Sequence, residues 1–367
     1  MLRPFAVPMT TATGFGPLPE LLEARCGTRA LQRVFAGAQL PLALVEDRNH
    51  PIPFVAMVGV FESAARAAGE RTFGFEVGAG MSVASYGVWL DYAAGAPTLG
   101  DALKRSVAAI RFHQTVGRLS LETAGDVVVW SYRPPPFPGE QIQHSDHVIA
   151  PMIRFVAGFL GRRWRPRRIE LNYPRDPLAA ALEARTGVPI RFAAPAAGIA
   201  IPVGDLRARR PAPRPSKAGG ILTLREVAAA SALAEGPEPL RSLSAIVAVR
   251  LMEGEVDIEG AAAMAGLGVQ GLQRRLREAG LSYRDVVGAA RQARAEALLR
   301  ETELSVTEIA VEVGYSEHAN FTRAFRRARG TSPTEYRARA AAARETHRPP
   351  AFVAPDDGGE PTRRSGR

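Results

Sequence analysis

Two stretches of the C-terminal third repeat one another, and this constrains the fold of the 367-residue chain more than any other feature. Residues 257–277 read DIEGAAAMAGLGVQGLQRRLR and residues 305–326 read SVTEIAVEVGYSEHANFTRAFR. Ala262 and Gly266 in the first correspond to Ala310 and Gly314 in the second, each glycine being followed by an apolar residue, Leu267 or Tyr315. Leu272, Arg274, Leu276 and Arg277 then correspond to Phe321, Arg323, Phe325 and Arg326. A short helix needs a small residue where a second helix crosses it closely, which suits the alanines. The reversal that follows needs a residue tolerant of positive φ, which suits the glycines. Leu272 and Leu276, or Phe321 and Phe325, recur at i and i+4 and would press one face of the second helix onto the first. The pattern predicts two helix-turn-helix units.

The opposite face of each second helix stays free, and it is rich in Arg, Gln and Asn. The first unit offers Gln270, Gln273, Arg274 and Arg277, and the second offers His318, Asn320, Arg323 and Arg327. Arg pairs bidentately with guanine, and Gln or Asn with adenine, so these eight are the candidate DNA contacts, on recognition helices near 269–279 and 317–328. Acidic residues fall mostly on the first helices (Asp257, Glu259, Glu308, Glu312). Over residues 241–339 the charges nearly cancel, so their arrangement points to DNA where their sum does not. Between the units, residues 282–300 have the period of one amphipathic helix, roughly 28 Å long at 1.5 Å per residue. Recognition helices on one face of B-DNA sit about 34 Å apart, and such a helix is a suitable spacer.

Residues 304–337, LSVTEIAVEVGYSEHANFTRAFRRARGTSPTEYR, resemble the signature of the AraC/XylS family of bacterial regulators, including the closing Gly330, Ser332, Pro333 and Tyr336. The resemblance spans about residues 241–340. It implies a cytoplasmic regulator that reads two consecutive major-groove segments of promoter DNA, usually as a homodimer and often as an activator contacting RNA polymerase. The first unit departs from the pattern at Gly268, where the family usually has a capping Ser, and at Gln270, where Arg is frequent. The missing side-chain cap costs up to ~1 kcal/mol of helix stability. The N-terminal region resembles, more weakly, the effector-binding, arabinose-binding-type domain of a subgroup that includes activators of amino-acid catabolism. That likeness rests on FGFEVGAG (residues 73–80), Tyr86 with APTLGDAL (96–103), and PIRFAAPAAGIAIP (189–202). It implies a small-molecule effector of unknown identity and leaves the effector-binding residues unknown.

The chain divides at DLRARRPAPRPSKAGG (205–220), a Pro, Arg and Gly run with the composition of a solvated linker. The expected organisation is an α+β effector and dimerisation domain over 1–205, a linker over 206–235, an all-α DNA-binding domain over 236–345 with its two units joined by a long helix, and a disordered tail over 346–367. Within 19–204 the patterns predict helices over 19–38, 98–111 (Thr98 and Asp101 spaced as a capping box), 141–160 and 178–186. They predict strands over 118–123, 126–132, 168–173 and 199–202.

A net charge of +10 makes a polyanion a natural partner, yet Lys104 and Lys217 are the only lysines, and an Arg-for-Lys bias of this size follows from GC-rich coding alone. Residues 1–11 have two prolines and no long apolar run, which argues against a secretory signal, and no apolar stretch approaches the ~20 residues of a membrane span. Cys26 is the sole cysteine, so neither an intramolecular disulfide nor a thiolate metal cluster is available, and the cytoplasm fits these facts. No cofactor is expected. An enzyme fused to a DNA-binding module, as in alkylation-response proteins, would need zinc-binding cysteines. Residues 1–205 also lack a phosphate loop, a nucleophile elbow and a paired carboxylate motif. A regulator whose N-terminal domain binds only proteins stays open. His144, Asp146 and His147 in QHSDHV resemble a metal site on a helix, but without a third marked ligand they read as a polar helix face. RRWRPRR (162–168) reads as a solvated turn before it reads as a nucleic-acid patch.

Overall fold

The structure, a computed structural model, describes residues 5–136, 139, 141–210, 222–233 and 236–346; the core of the expected linker and nearly all of the expected tail lie outside them. By packing, the chain forms two compact units, residues 1–291 and 292–367.

The first unit begins with β1 (Met9–Thr11), α1 (Leu18–Cys26), α2 (Thr28–Gly37), β2 (Pro51–Pro53), α3 (Phe54–Ala68), α4 (Phe73–Gly80), α5 (Val88–Ala94) and α6 (Leu99–Ala109). It continues with β3 (Arg118–Ala124), β4 (Val127–Arg133), α7 (Ile142–Leu160), β5 (Arg168–Glu170), α8 (Ala179–Thr186), β6 (Ile190–Arg191) and β7 (Ala197–Pro202). β1 and β2 pair antiparallel, and the other five strands form one sheet in the order β3-β4-β7-β5-β6, antiparallel except for β5 with β6. This is the expected α+β architecture. One helix expected over 19–38 is two, because Gly27 takes φ 79°, closing α1 and opening α2. Thr98 caps α6 through its side chain, Oγ1 accepting from the Asp101 amide at 3.2 Å and donating to the Asp101 carboxylate at 2.7 Å, without the backbone half of a reciprocal capping box.

The glycines of FGFEVGAG set the closest packing in this region. A Cβ on Gly74 would lie 2.1 Å from the carbonyl oxygen of Gln143, and one on Gly78 would lie 2.1 Å from that of His147. Only bare Cα atoms allow α4 to lie this near α7. Pro151, inside α7, has no N–H for the His147 carbonyl four residues earlier, so the helix presents a freed acceptor where Gly78 approaches. Gln143 secures the contact by accepting from the Gly74 amide at 2.8 Å and donating to the Arg71 carbonyl at 3.0 Å. Behind α7, Asp146 is fully buried and ion-paired to Arg71 at 2.5 Å, and Arg71 also reaches Asp176 at 2.7 Å and the Tyr173 hydroxyl at 2.9 Å.

The first unit also contains α9 (Leu224–Ala229), α10 (Leu240–Arg250), α11 (Ile258–Met264), α12 (Val269–Glu278) and the start of α13 (Tyr283–Glu301). Its apolar core runs without a break from α1–α3 and β1 into α10–α13: Val7, Met9 and Ile52 belong to the same buried cluster as Leu243, Ile246, Leu272 and Val286. The Val7 amide donates to Ser242 Oγ at 3.3 Å, and the Arg275 guanidinium lies 4.2 Å from the Phe5 ring centroid. The second unit holds the rest of α13, then α14 (Val306–Glu312), α15 (His318–Arg329) and α16 (Pro333–Thr346). No helix among the described residues is long and apolar enough to cross a membrane.

Candidate nucleic-acid interface and internal cavity

Each repeat is built as its spacing requires. In the first, Asp257 caps α11 by accepting from the Gly260 amide at 2.7 Å, Ala262 is buried, and Gly266 turns the chain at φ 68°. α12 starts at Gly268 with no side-chain cap and buries Leu272 and Leu276. In the second, Ser305 and Glu308 form a reciprocal capping box on α14, Ala310 is buried, and Gly314 turns at φ 84°. α15 buries Phe321 and Phe325, which stack in a row between Tyr315 and Tyr336 with centroid spacings of 5.5–5.8 Å. The closing motif resolves into separate jobs. Gly330 ends α15 at φ 69°, Ser332 caps α16 with Pro333 in its first turn, and Tyr336 packs edge-on against Phe325.

All eight candidate contacts are exposed: Gln270, Gln273, Arg274 and Arg277 on α12, and His318, Asn320, Arg323 and Arg327 on α15. Arg275, between them in sequence, is only half-exposed because it lies on Phe5. On α15 the polar face is strung together: Arg323 donates to Asn320 Oδ1 at 2.5 Å, and the Asn320 amide donates to Glu317 at 3.2 Å. Arg274 lies 3.9 Å from Glu278, with both side chains largely in solvent, a pairing too loose to hold its guanidinium.

The other site is a cavity of about 80 Å3 inside the α+β region. β1 contributes Thr10, α5 Trp89, the turn after α6 His113 and Gln114, β4 Trp130 and Tyr132, and α7 His144, His147 and Phe155, with Tyr86 from the loop before α5. Among the described residues no Lys, Arg, Asp or Glu lines it. His144 and His147 are buried, which corrects the reading of QHSDHV as a polar helix face: close packing on α4 and the sheet covers that face. Among the described residues no three His, Cys, Asp or Glu side chains group as metal ligands do. RRWRPRR lies between α7 and β5, where Trp164 Nε1 donates to Asp205 at 2.8 Å. Cys26 ends α1 and donates weakly to the Ala67 carbonyl.

The amino-acid pattern of this chain matches two family models. One, the arabinose-binding N-terminal domain of AraC transcription regulators, covers residues 29–209, and the other, a helix-turn-helix domain, covers residues 261–339. The chain is an AraC/XylS-type transcriptional regulator. VqsM, an HTH-type transcriptional regulator of Pseudomonas aeruginosa, is 47% identical over 66 residues, which are 18% of this chain and 20% of that protein. The chain therefore matches about a fifth of the length of the first curated relatives. The ornithine utilization regulator of the same organism is 24% identical over 311 residues, 83% of this chain and 90% of its own. The crystal structure of the regulator CdpR from P. aeruginosa is 21% identical, with a TM-score of 0.36 over 84% of this chain and 97% of that one.

Burial decides the electrostatics of the regulator's cavity. It lowers the imidazoles of His113 and His144 to about 4 and that of His147 well below the ordinary range, the neighbouring histidines adding to the effect on the last two. All three are neutral at pH 7. His113 Nδ1 pairs with Thr11 Oγ1 at 3.0 Å, and His147 Nε2 lies 3.2 Å from the Tyr86 hydroxyl. In contrast, Trp89 Nε1, Trp130 Nε1, His144 Nδ1 and His147 Nδ1 are buried with no partner in the protein. Each such orphan costs about 1–3 kcal/mol, so four on one cavity wall mark a place where stability has been given up.

Acid sensitivity follows. Below about pH 6.5 the unfolded chain binds protons on these three histidines, whereas in the fold His113 and His144 stay neutral down to about pH 4 and His147 is held well below its ordinary range, so stability is full above pH 6.5 and falls with pH at about 1.4 kcal/mol per unit per histidine. Asp146 opposes one of them: burial pushes its carboxyl up to about 6 against the pull of Arg71 and Tyr173, so there the folded chain binds the proton first. Between pH 6 and 4 the net loss is roughly two protons' worth, about 3 kcal/mol per unit. Melting curves from pH 7.5 to 5 check this. His144→Phe should remove about one proton from the slope, and a flat profile contradicts neutral burial.

Proposed function

We propose that this chain is a ligand-responsive regulator that binds promoter DNA through α12 and α15, each laid in one of two consecutive major-groove segments, with α13 as the spacer. The observation that carries the reading is the division of α15: Phe321 and Phe325 are buried on one side, and His318, Asn320, Arg323 and Arg327 are exposed on the other. Gln270, Gln273, Arg274 and Arg277 are the corresponding contacts of α12. The uncapped start at Gly268 and the engagement of Arg275 with Phe5 favour α15 as the stronger reader. Functionally, residues 1–205 form the effector and dimerisation domain, 206–235 the linker and 236–345 the DNA-binding domain. In this reading the regulator is an activator that works as a homodimer and contacts RNA polymerase.

The same reading gives the effector a route to DNA. Thr10 lines the cavity on β1, β1 pairs with β2, and β2 packs on α10. An occupant that shifts β1 acts on an element that shares its core with the first helix-turn-helix unit.

Arg323→Ala should weaken operator binding by about 1–3 kcal/mol, with the loss confined to one base position. Titrations against single-base operator variants make the test. An equal loss on every sequence would reduce Arg323 to a phosphate contact.

A further inference from the structure

We propose that the cavity takes an uncharged molecule no larger than a small ring that carries a carbonyl or similar acceptor oxygen, and that Trp89 and Trp130 are the groups that recognise this oxygen. This rests on reading residues 29–209 as the effector domain.

Charge comes first. Among the described residues the wall has no Asp, Glu, Lys or Arg, and its three histidines are neutral, so nothing described in it compensates an ammonium, a carboxylate or a phosphate. An ion carried into such a site keeps most of its desolvation cost. Size comes second. About 80 Å3 is roughly half the ~150 Å3 of an apolar cavity that admits benzene, so a small ring is the upper limit, and a substituted arene or a long chain does not fit. Shape follows from the aromatic walls: Trp89 stacks on His113 at 5.5 Å, Trp130 meets Phe155 at 5.3 Å, and Tyr86 meets Trp89 at 6.3 Å. Flat rings favour a flat guest.

The polar wall sets the remaining chemistry. Indole Nε1–H can only donate, and both cavity indoles are buried without an acceptor, whereas the third, Trp164, lies outside the cavity and has Asp205. The Tyr132 hydroxyl is already committed to Gln114 Oε1 at 2.8 Å. These two unspent donors, which stand beside the unpartnered Nδ1 atoms of His144 and His147, call for acceptor oxygen on the guest. A sugar ring with its hydroxyls exceeds a space of about 80 Å3, and an amino acid would bring two charges.

The experiment is calorimetric melting of the full chain with cyclopentanone, benzoate, L-arabinose or L-ornithine. It is repeated on Trp130→Phe, which deletes the N–H and keeps a ring, on Trp89→Phe, and on Trp164→Phe as a control outside the cavity. Cyclopentanone should raise the melting temperature by roughly 3–5 °C at ten times its Kd. Trp130→Phe and Trp89→Phe should weaken it about fivefold or more relative to each variant's own unliganded melt, and Trp164→Phe should leave it unchanged. If benzoate or ornithine stabilises instead, and the effect is lost in Trp130→Phe, the effector reading stands and the uncharged class is overturned. Stabilisation that is indifferent to Trp89 and Trp130 overturns the site. No stabilisation by any of the four compounds contradicts the ligand class, and if the cavity variants also leave DNA binding untouched, the effector reading falls with it.

Discussion

Gly78→Ala is expected to destabilise the first unit by roughly 3 kcal/mol and to abolish binding in the cavity. The added Cβ would lie 2.1 Å from the His147 carbonyl oxygen and 3.1 Å from Pro151 Cδ. Because the obstacle is backbone, no rotamer change relieves it, and α4 must move off α7. α7 carries His144, His147 and Phe155 into the cavity wall, so the displacement reaches the site directly. Gly158→Ala, also on α7 but exposed and with nothing within 4 Å of its added Cβ, should instead stabilise by roughly 0.5–1 kcal/mol, because alanine favours a helix over glycine. Urea melts of both variants compare them. Equal stabilities would mean that α4 and α7 are not in contact at Gly78.

Phe325→Ala should remove about 3–5 kcal/mol from the second unit. Phe325 is fully buried in a core of eight residues and sits between Phe321 and Tyr336, so the hole has little around it that can collapse inward. With so small a core the unit should unfold at physiological temperature, and the half of the operator read by α15 should lose its protection. Footprinting with nuclease reads that outcome together with the fate of the α12 half. Full protection over the α15 half would show that Phe325 does not hold the unit together.

The helix-turn-helix units were legible because their determinants are local. Ala262, Gly266 and Leu272, and their counterparts Ala310, Gly314 and Phe321, lie within a dozen residues of one another, and each does in the fold what its type and spacing require. Most N-terminal elements with a clear period or a cap were legible too, as at Thr98 and over 118–133. The misses have physical causes. α3 (Phe54–Ala68) is apolar around most of its circumference and shows no helical stripe. α4 carries three glycines in eight residues and reads as a poor helix, yet Gly74 and Gly78 are what bring α7 close. Gly27 breaks what periodicity presents as one helix. The cavity was invisible because Thr10, Trp89, His113, Trp130 and His144 come from five separate segments, and no spacing announces that they meet. One trace was present: among six histidines and three tryptophans, three and two respectively line this space.

The central claim is that α12 and α15 read two consecutive stretches of one duplex face. Sequencing the genomic fragments bound by the purified full-length chain, with wild type and Arg323→Ala in parallel, tests it most directly. The expected motif has two informative blocks with centres about one helical turn, roughly 10–10.5 base pairs, apart, and Arg323→Ala should blur one block and leave the other sharp. A single short block, or loss of both blocks together in the variant, would contradict the account.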